Sequence, residues 1–219
     1  MKKIIIFDFD NTLVNSITHW RKVINVDMFK FYGIKPIAQM KKVHGGKSNQ
    51  EIVQAFVDIS GLKVSPAEIM QRWYDTMFIN YTQKIKFIKG AKEYLLKLKA
   101  EGKMLVLASA TGESLLFPTV KALGLDKIFD VVFSEDMIGY PKRDPMCFVK
   151  LLDKLGAKPE EVFLFEDSLY SISSAASLKI ESCALINPLN KSNKPRFKEL
   201  SKLIIKNYKD KRLENLFNE

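Results

Sequence analysis

A chain of 219 residues has room for one large domain, or for a core with a small second domain. Its 47% hydrophobic content excludes global disorder, and two cysteines with no Cys-x-x-Cys pair, beside only two histidines, argue against a disulfide framework or a structural zinc site. The net charge of +10 admits nucleic acid, membrane surfaces or anionic substrates as partners; the lysines alternate with glutamates rather than stacking aromatics, and read as a solvated surface more than a nucleic-acid platform.

In chain order, Ile4 to Phe7 is an apolar run of strand length that meets Asp8 and Asp10. Met1-Lys2-Lys3 ahead of it imitates a secretory leader, but the apolar part stops too soon, and no stretch approaches a membrane span. The expectation is a cytoplasmic protein with no membrane partner. Ile17, Trp20, Ile24, Met28 and Phe31 predict a helix from Ser16, as its cap, to Tyr32, with Gly33 as the stop. A second helix is expected from Ser48 to Gly61. A third starts at Ser65-Pro66-Ala67-Glu68, a capping-box pattern, and continues through Ile69, Trp73, Met77 and Tyr81. Residues 15–87 therefore read as an all-helical insertion, a separate small domain whose Met and aromatic stripe forms its core.

From Gly90 strands and helices alternate. The expected order is helix Ala91 to Glu101, strand Met104 to Ala108, helix Leu115 to Leu123, strand Val131 to Phe133, and a loop from Ser134 to Asp144. There follow helix Pro145 to Leu155, strand Val162 to Phe165 ending in Glu166 and Asp167, helix Ser168 to Leu178, and strand Cys183 to Ile186. A linker from Asn187 to Arg196, a strand at Leu203 to Ile205 and an amphipathic helix over 211–217 complete the chain. This alternation predicts an α/β fold with a Rossmann-like, doubly wound parallel sheet, residues 1–14 and 88–219 forming the core domain. Gly-x-Gly-x-x-Gly is missing after the first strand, so a dinucleotide site has no support.

In a parallel sheet the strand exits share one edge, which brings Asp8, Asp10, Ser109, Glu166 and Asp167 together. Taken alone, Asp8 and Asp10 read as a strand stop and a helix N-cap. Four carboxylates on one edge need a cation, and oxygen ligands suit a hard ion, Mg²⁺ above all. Ser109 and the amides after it form an anion cradle where a strand gives way to a helix, and Lys142 adds positive charge. Metal, lysine and amides together ask for a phosphorylated substrate.

Asp8-Phe9-Asp10-Asn11-Thr12, the strand ending at Ser109, Lys142 with Pro145 and Phe148 after it, and Phe165-Glu166-Asp167-Ser168 occur in that order. In these motifs the chain resembles the haloacid dehalogenase superfamily, in its Mg²⁺-dependent phosphatase branch. The resemblance implies that Asp8 is the nucleophile, forming an aspartyl-phosphate, and that Asp10 is the general acid and base. It implies a metal held by Asp8, Asp10 through its carbonyl, and Asp167, with Glu166 nearby. Phosphate binding falls to Ser109, Ala110 and Lys142, with Thr12 orienting the loop beside them. Residues 15–87 resemble the small helical cap of these enzymes. In it, Gly45, Gly46 and Lys47 form either a substrate-facing loop or a plain interhelical turn. Ser171, Ser177 and Arg143 depart from the usual motif surroundings. The expectation is a phosphatase of a small phosphorylated metabolite, a monomer or weak dimer. The alternatives are a phosphomutase of a sugar phosphate and a nucleic-acid-binding protein with a vestigial site.

Overall fold

The computed structural model describes residues 2–42 and 49–217. The apolar runs become six parallel strands: β1 Ile4–Phe7, β2 Met104–Ser109, β3 Val131–Ser134, β4 Val162–Glu166, β5 Glu181–Leu185 and β6 Leu203–Ile205. Their order is β3-β2-β1-β4-β5-β6, so the chain moves outward from β1 to β3 and then returns to lay β4 on the other side of β1. That reversal opens a crevice beside the β1 exit, where ligands bind in sheets of this kind. Phe7 sits level with Leu107 on one side and Phe165 on the other, which fixes the exits of β1, β2 and β4 at one height.

Alternation along β1 divides its side chains between the two faces. Ile4 and Ile6 join Val106, Leu164, Phe148 and Leu151 in one buried cluster. Phe7, on the other face, stacks on Phe165 with ring centroids 4.7 Å apart and meets Phe129 edge-on. Burial on both faces explains why these strands are apolar throughout rather than alternating.

Two compact units divide the chain, Met1–Asn15 with Lys86–Glu219, and Ser16–Ile85. The second unit holds α1 Ile17–Lys22, α2 Met28–Phe31, α3 Asn49–Ser60 and α4 Pro66–Ile79. The stretch expected as one helix over 16–32 widens into a π-helical turn at Val23–Asp27, and α4 continues as another at Asn80–Lys84. Ser16 stands at the N-cap of α1 without a side-chain cap bond, whereas Ser65 caps α4 by accepting from the Glu68 amide at 3.1 Å. The aromatic stripe is core: Trp73, Met77 and Tyr81 are buried, and Trp20 packs edge-on against Trp73 while its Nε1 donates to Tyr81 Oη at 2.6 Å.

The first unit carries α5 Ala91–Ala100, α6 Glu113–Ala122, α7 Glu135–Ile138, α8 Pro145–Leu155, α9 Leu169–Ser177 and α10 Lys194–Leu200. Three expectations are corrected. The loop after β3 contains α7, started by Ser134 Oγ accepting from the Met137 amide at 3.2 Å. The linker expected over 187–196 ends in the first turn of α10, where Pro195 starts the helix instead of interrupting it and Phe197 is fully buried with Ile172 and Ala184. The terminal segment is a 3₁₀ turn, Lys211–Asn215, rather than a longer amphipathic helix.

Candidate active site

Asp8 is the first residue past β1, and its amide extends the ladder by donating to Phe165 O at 2.9 Å. It is buried, only 5% exposed. The chain then turns sharply: Asn11 takes a positive φ of 58°, which asparagine tolerates, and donates its amide to Val14 O at 2.8 Å. The turn brings Asp10 to the β2 exit, where its Oδ2 accepts from Thr111 Oγ1. Thr12 lies underneath, wholly buried, its hydroxyl without a hydrogen-bond partner among the described residues.

Lys142 reaches Asp8 from the turn between α7 and α8. The turn is closed by the Asp144 amide on Pro141 O, and Asp144 then caps α8 through the Met146 amide. The Lys142 amide donates to Glu135 Oε2 at 3.0 Å, and the Arg143 carbonyl accepts from Ser174 Oγ at 2.8 Å. So anchored, the buried Lys142 ammonium donates to Asp8 Oδ1 at 2.5 Å, Glu166 Oε2 at 2.8 Å and Ala108 O at 3.3 Å. Three donors meet three acceptors, the full capacity of an ammonium group.

The other carboxylates come from the β4 exit. Glu166 Oε1 accepts from the amides of Asp167 and Ser168, both at 3.0 Å. Asp167 Oδ1 accepts from Ser168 Oγ at 3.3 Å and Oδ2 from Asn187 Nδ2 at 2.8 Å. One carboxylate oxygen from each of Asp8, Glu166 and Asp167 lies within 4.8 Å of the other two. Burial, then the charge of Glu166, pushes the Asp8 carboxyl up to about 7 against the opposing pull of Lys142. Burial and the charges of Asp8 and Glu166 likewise hold Asp167 well above the usual carboxylate range. Burial works against the Lys142 charge, but Asp8 and Glu166 outweigh it and keep the ammonium protonated. Lys142 thus faces a surplus of carboxylates, the buried Asp8 and Glu166 and the half-buried Asp167. The charge surplus and the all-oxygen donor set fit a hard divalent ion.

At the β2 exit Ser109 is buried, and its Oγ accepts from the Thr111 amide at 3.0 Å, while Ala110 is exposed. One of the amides expected in the anion cradle is therefore turned inward onto Ser109. The sheet gathers Asp8, Lys142, Glu166 and Asp167 into one bonded set and ties Asp10 to the β2 exit. Gly45, Gly46 and Lys47 lie outside the described residues. Sequence reasoning missed Thr111, Glu135, Asn187 and Asn190. Thr111 had a usable signal, a hydroxyl two residues past Ser109 on the same strand exit.

The family model for haloacid dehalogenase-like hydrolases matches residues 5–185. A phosphorylated carbohydrates phosphatase of Thermotoga maritima is 25% identical over 81% of this chain and 82% of its own. A solved Thermotoga maritima structure, provisionally named a β-phosphoglucomutase, has a TM-score of 0.85 at 24% identity and covers 100% of this chain and 99% of that one. The Bacillus subtilis HAD-hydrolase YfnB, solved bound to magnesium, gives 0.78 at 16% identity, covering 100% and 99%. At those identities the two structures establish the shared fold.

Proposed function

The chain belongs to the haloacid dehalogenase-like hydrolases, and from that premise we propose that it is a phosphatase of small phosphorylated metabolites working through an aspartyl-phosphate on Asp8. The observation that carries this reading is the asymmetry of the Asp8 carboxylate. Oδ1 is held by Lys142 at 2.5 Å, while Oδ2 has no hydrogen-bond partner among the described residues. One oxygen is anchored and the other is left to attack.

In the first step Asp8 Oδ2 bonds to phosphorus as the bond to the leaving alkoxide breaks, and Asp10 gives its proton to that oxygen. In the second, Asp10 takes a proton from water, whose oxygen bonds to phosphorus. Inorganic phosphate leaves and the Asp8 carboxylate is restored. Thr111 donates to Asp10 Oδ2 and orients that carboxyl for proton transfer. Lys142 and the Ser109 and Ala110 segment counter the phosphoryl charge, the main requirement in this chemistry. Asp8, Asp167 and the Asp10 carbonyl would hold Mg²⁺, with Glu166 beside them. Once bound, the ion would neutralise charge on the transferring phosphoryl group.

Glu166 and Lys142 remain fully bonded to one another and to the backbone, as expected of a working site rather than a decayed one. No helix among the described residues is long and apolar enough to cross a membrane. We place the protein in the cytoplasm on the sequence reading, and assign Ser16–Ile85 the role of cap from its place between the first and second motifs. A panel of sugar phosphates, phosphoglycolate, nucleotides and pyrophosphate, assayed with Mg²⁺ for phosphate release, tests the function. Release abolished by chelation and by Asp8→Asn supports it. A sugar phosphate isomerised without phosphate release would identify a mutase instead.

A further inference from the structure

The segment after β5 reads in the sequence as a polar linker, yet its first residues are bonded into the site. Asn187 and Asn190 lock each other: the Asn187 amide donates to Asn190 Oδ1 at 2.8 Å, and Asn187 Oδ1 accepts from the amides of Leu189 at 2.9 Å and Asn190 at 3.3 Å. From this closed turn both side-chain amides face outward onto one neighbour. Asn187 Nδ2 donates to Asp167 Oδ2 at 2.8 Å, and Asn190 Nδ2 donates to the Asp167 carbonyl at 2.8 Å and to Leu185 O at 2.9 Å. Asn190 is buried and Asn187 half-buried.

We propose that Asn187 and Asn190 are positioning residues that preset Asp167 as a metal ligand, one fixing its carboxylate and the other its main chain. A turn needed only to leave β5 would satisfy itself, and the reciprocal Asn187–Asn190 bonds already do so. The two additional amides converge on a single residue, on its side chain and its backbone. The choice of amide is chemically specific. A lysine at 187 would neutralise Asp167 and compete with a cation, whereas a neutral N–H donor orients the carboxylate and leaves its charge for the ion. Outer partners of this kind typically contribute tenfold or more to metal affinity.

The inference rests on the reading of Asp167 as a metal ligand. It is tested by titrating Mg²⁺ alone, without substrate, into wild type, Asn187→Ala and Asn187→Ser by calorimetry, and by thermal melts in EDTA and in Mg²⁺. Serine keeps an acceptor for the turn amides but is too short to reach Asp167, and so serves if the alanine variant does not fold. The expected result is a Kd for Mg²⁺ raised about 10- to 100-fold, with a smaller Mg²⁺-induced rise in Tm, so that each variant loses more Tm in Mg²⁺ than in EDTA. If the variants bind Mg²⁺ within about twofold of wild type, or lose Tm equally in EDTA and Mg²⁺, the two asparagines only shape the turn and the proposal is overturned. If wild type itself takes up no Mg²⁺, the metal reading of the whole edge fails, and the clamp with it.

Discussion

β1 and β4 lie side by side in register, with Phe7 level with Phe165, and each runs from apolar residues into a pair of acids. At the β4 exit Glu166 is completely satisfied: one oxygen takes the Lys142 ammonium and the other takes two backbone amides. At the β1 exit Asp8 is bonded, among the described residues, at one oxygen only, and its carboxyl is lifted to about 7 by burial and by Glu166. The same pattern of residues has produced a saturated carboxylate on one strand and, on its neighbour, a half-bonded one that the proposed mechanism makes the nucleophile. What separates them is the number of donors that reach each carboxylate, not the residues themselves. Lys142 is shared between the two, and the Asp167 and Ser168 amides on Glu166 set the difference.

The largest expected effect comes from removing the reactive side. Asp8→Asn should lower turnover by about 10⁴-fold or more, as followed by release of an aryl alcohol from its phosphate. The same change takes a charge out of a crowded edge, so the melting temperature in EDTA should not fall. A variant that keeps its rate removes the distinction between the two exits.

Lys142→Met removes the shared partner and leaves Asp8 and Glu166 both buried without a cation. Breaking a buried pair in this way costs about 3–5 kcal/mol, to be read by urea unfolding in EDTA. A loss below about 1 kcal/mol, the range of surface pairs, would mean that Glu166 is not held by Lys142.

pH sharpens the contrast further. Asp8 is raised from 3.8 to about 7, and Asp167 is raised as well, so the folded, metal-free protein holds these protons more tightly than the unfolded chain. The stability Asp8 contributes is present at low pH and is lost as pH rises through about 7, and Asp167 acts in the same direction. A divalent cation must displace the same protons, so its stabilisation grows with pH. The rise in Tm on adding Mg²⁺ should therefore be larger near pH 8 than near pH 5.5; equal shifts would remove the β1 exit as the site of uptake.

The smallest effect is expected at the edge of the β1 exit. Thr111→Val removes the hydroxyl bonded to Asp10. It should slow kcat roughly tenfold, the equivalent of one charge-assisted hydrogen bond of about 1.5 kcal/mol, and leave the Kd for Mg²⁺ unchanged. A change in that Kd with kcat intact would move Thr111 from proton handling to metal binding.

Much of this was legible in the chain before any coordinates. Ile4 to Phe7 and Val162 to Phe165 are uniformly apolar because the sheet covers them on both faces, and uniform runs ending in acids mark strand exits without tertiary information. Lys142 was legible for its charge but not for its saturation, since the three acceptors come from β1, β2 and β4. Asn187 and Asn190 were illegible for a related reason. Polar residues beside Pro188 look like any linker, and only the closeness of β5 to β4 turns their amides onto Asp167. α10 was hidden because a single buried aromatic, Phe197, holds a helix made otherwise of exposed or half-buried residues. The π-helical turns at Val23–Asp27 and Asn80–Lys84 lie beyond a reading based on a 3.6-residue period.

The central claim, that the singly bonded Asp8 attacks phosphorus, is tested most directly by trapping the intermediate. Asp10→Ala should let Asp8 react with an activated aryl phosphate, whose leaving group needs little protonation, while slowing the attack of water. Rapid mixing with a ³²P-labelled aryl phosphate, acid quench and peptide mapping would then follow the phosphoryl group. The account predicts a burst of about one aryl alcohol per active site, with the label on the peptide containing Asp8. Turnover with no protein-bound label, or label on a peptide other than that one, would contradict it.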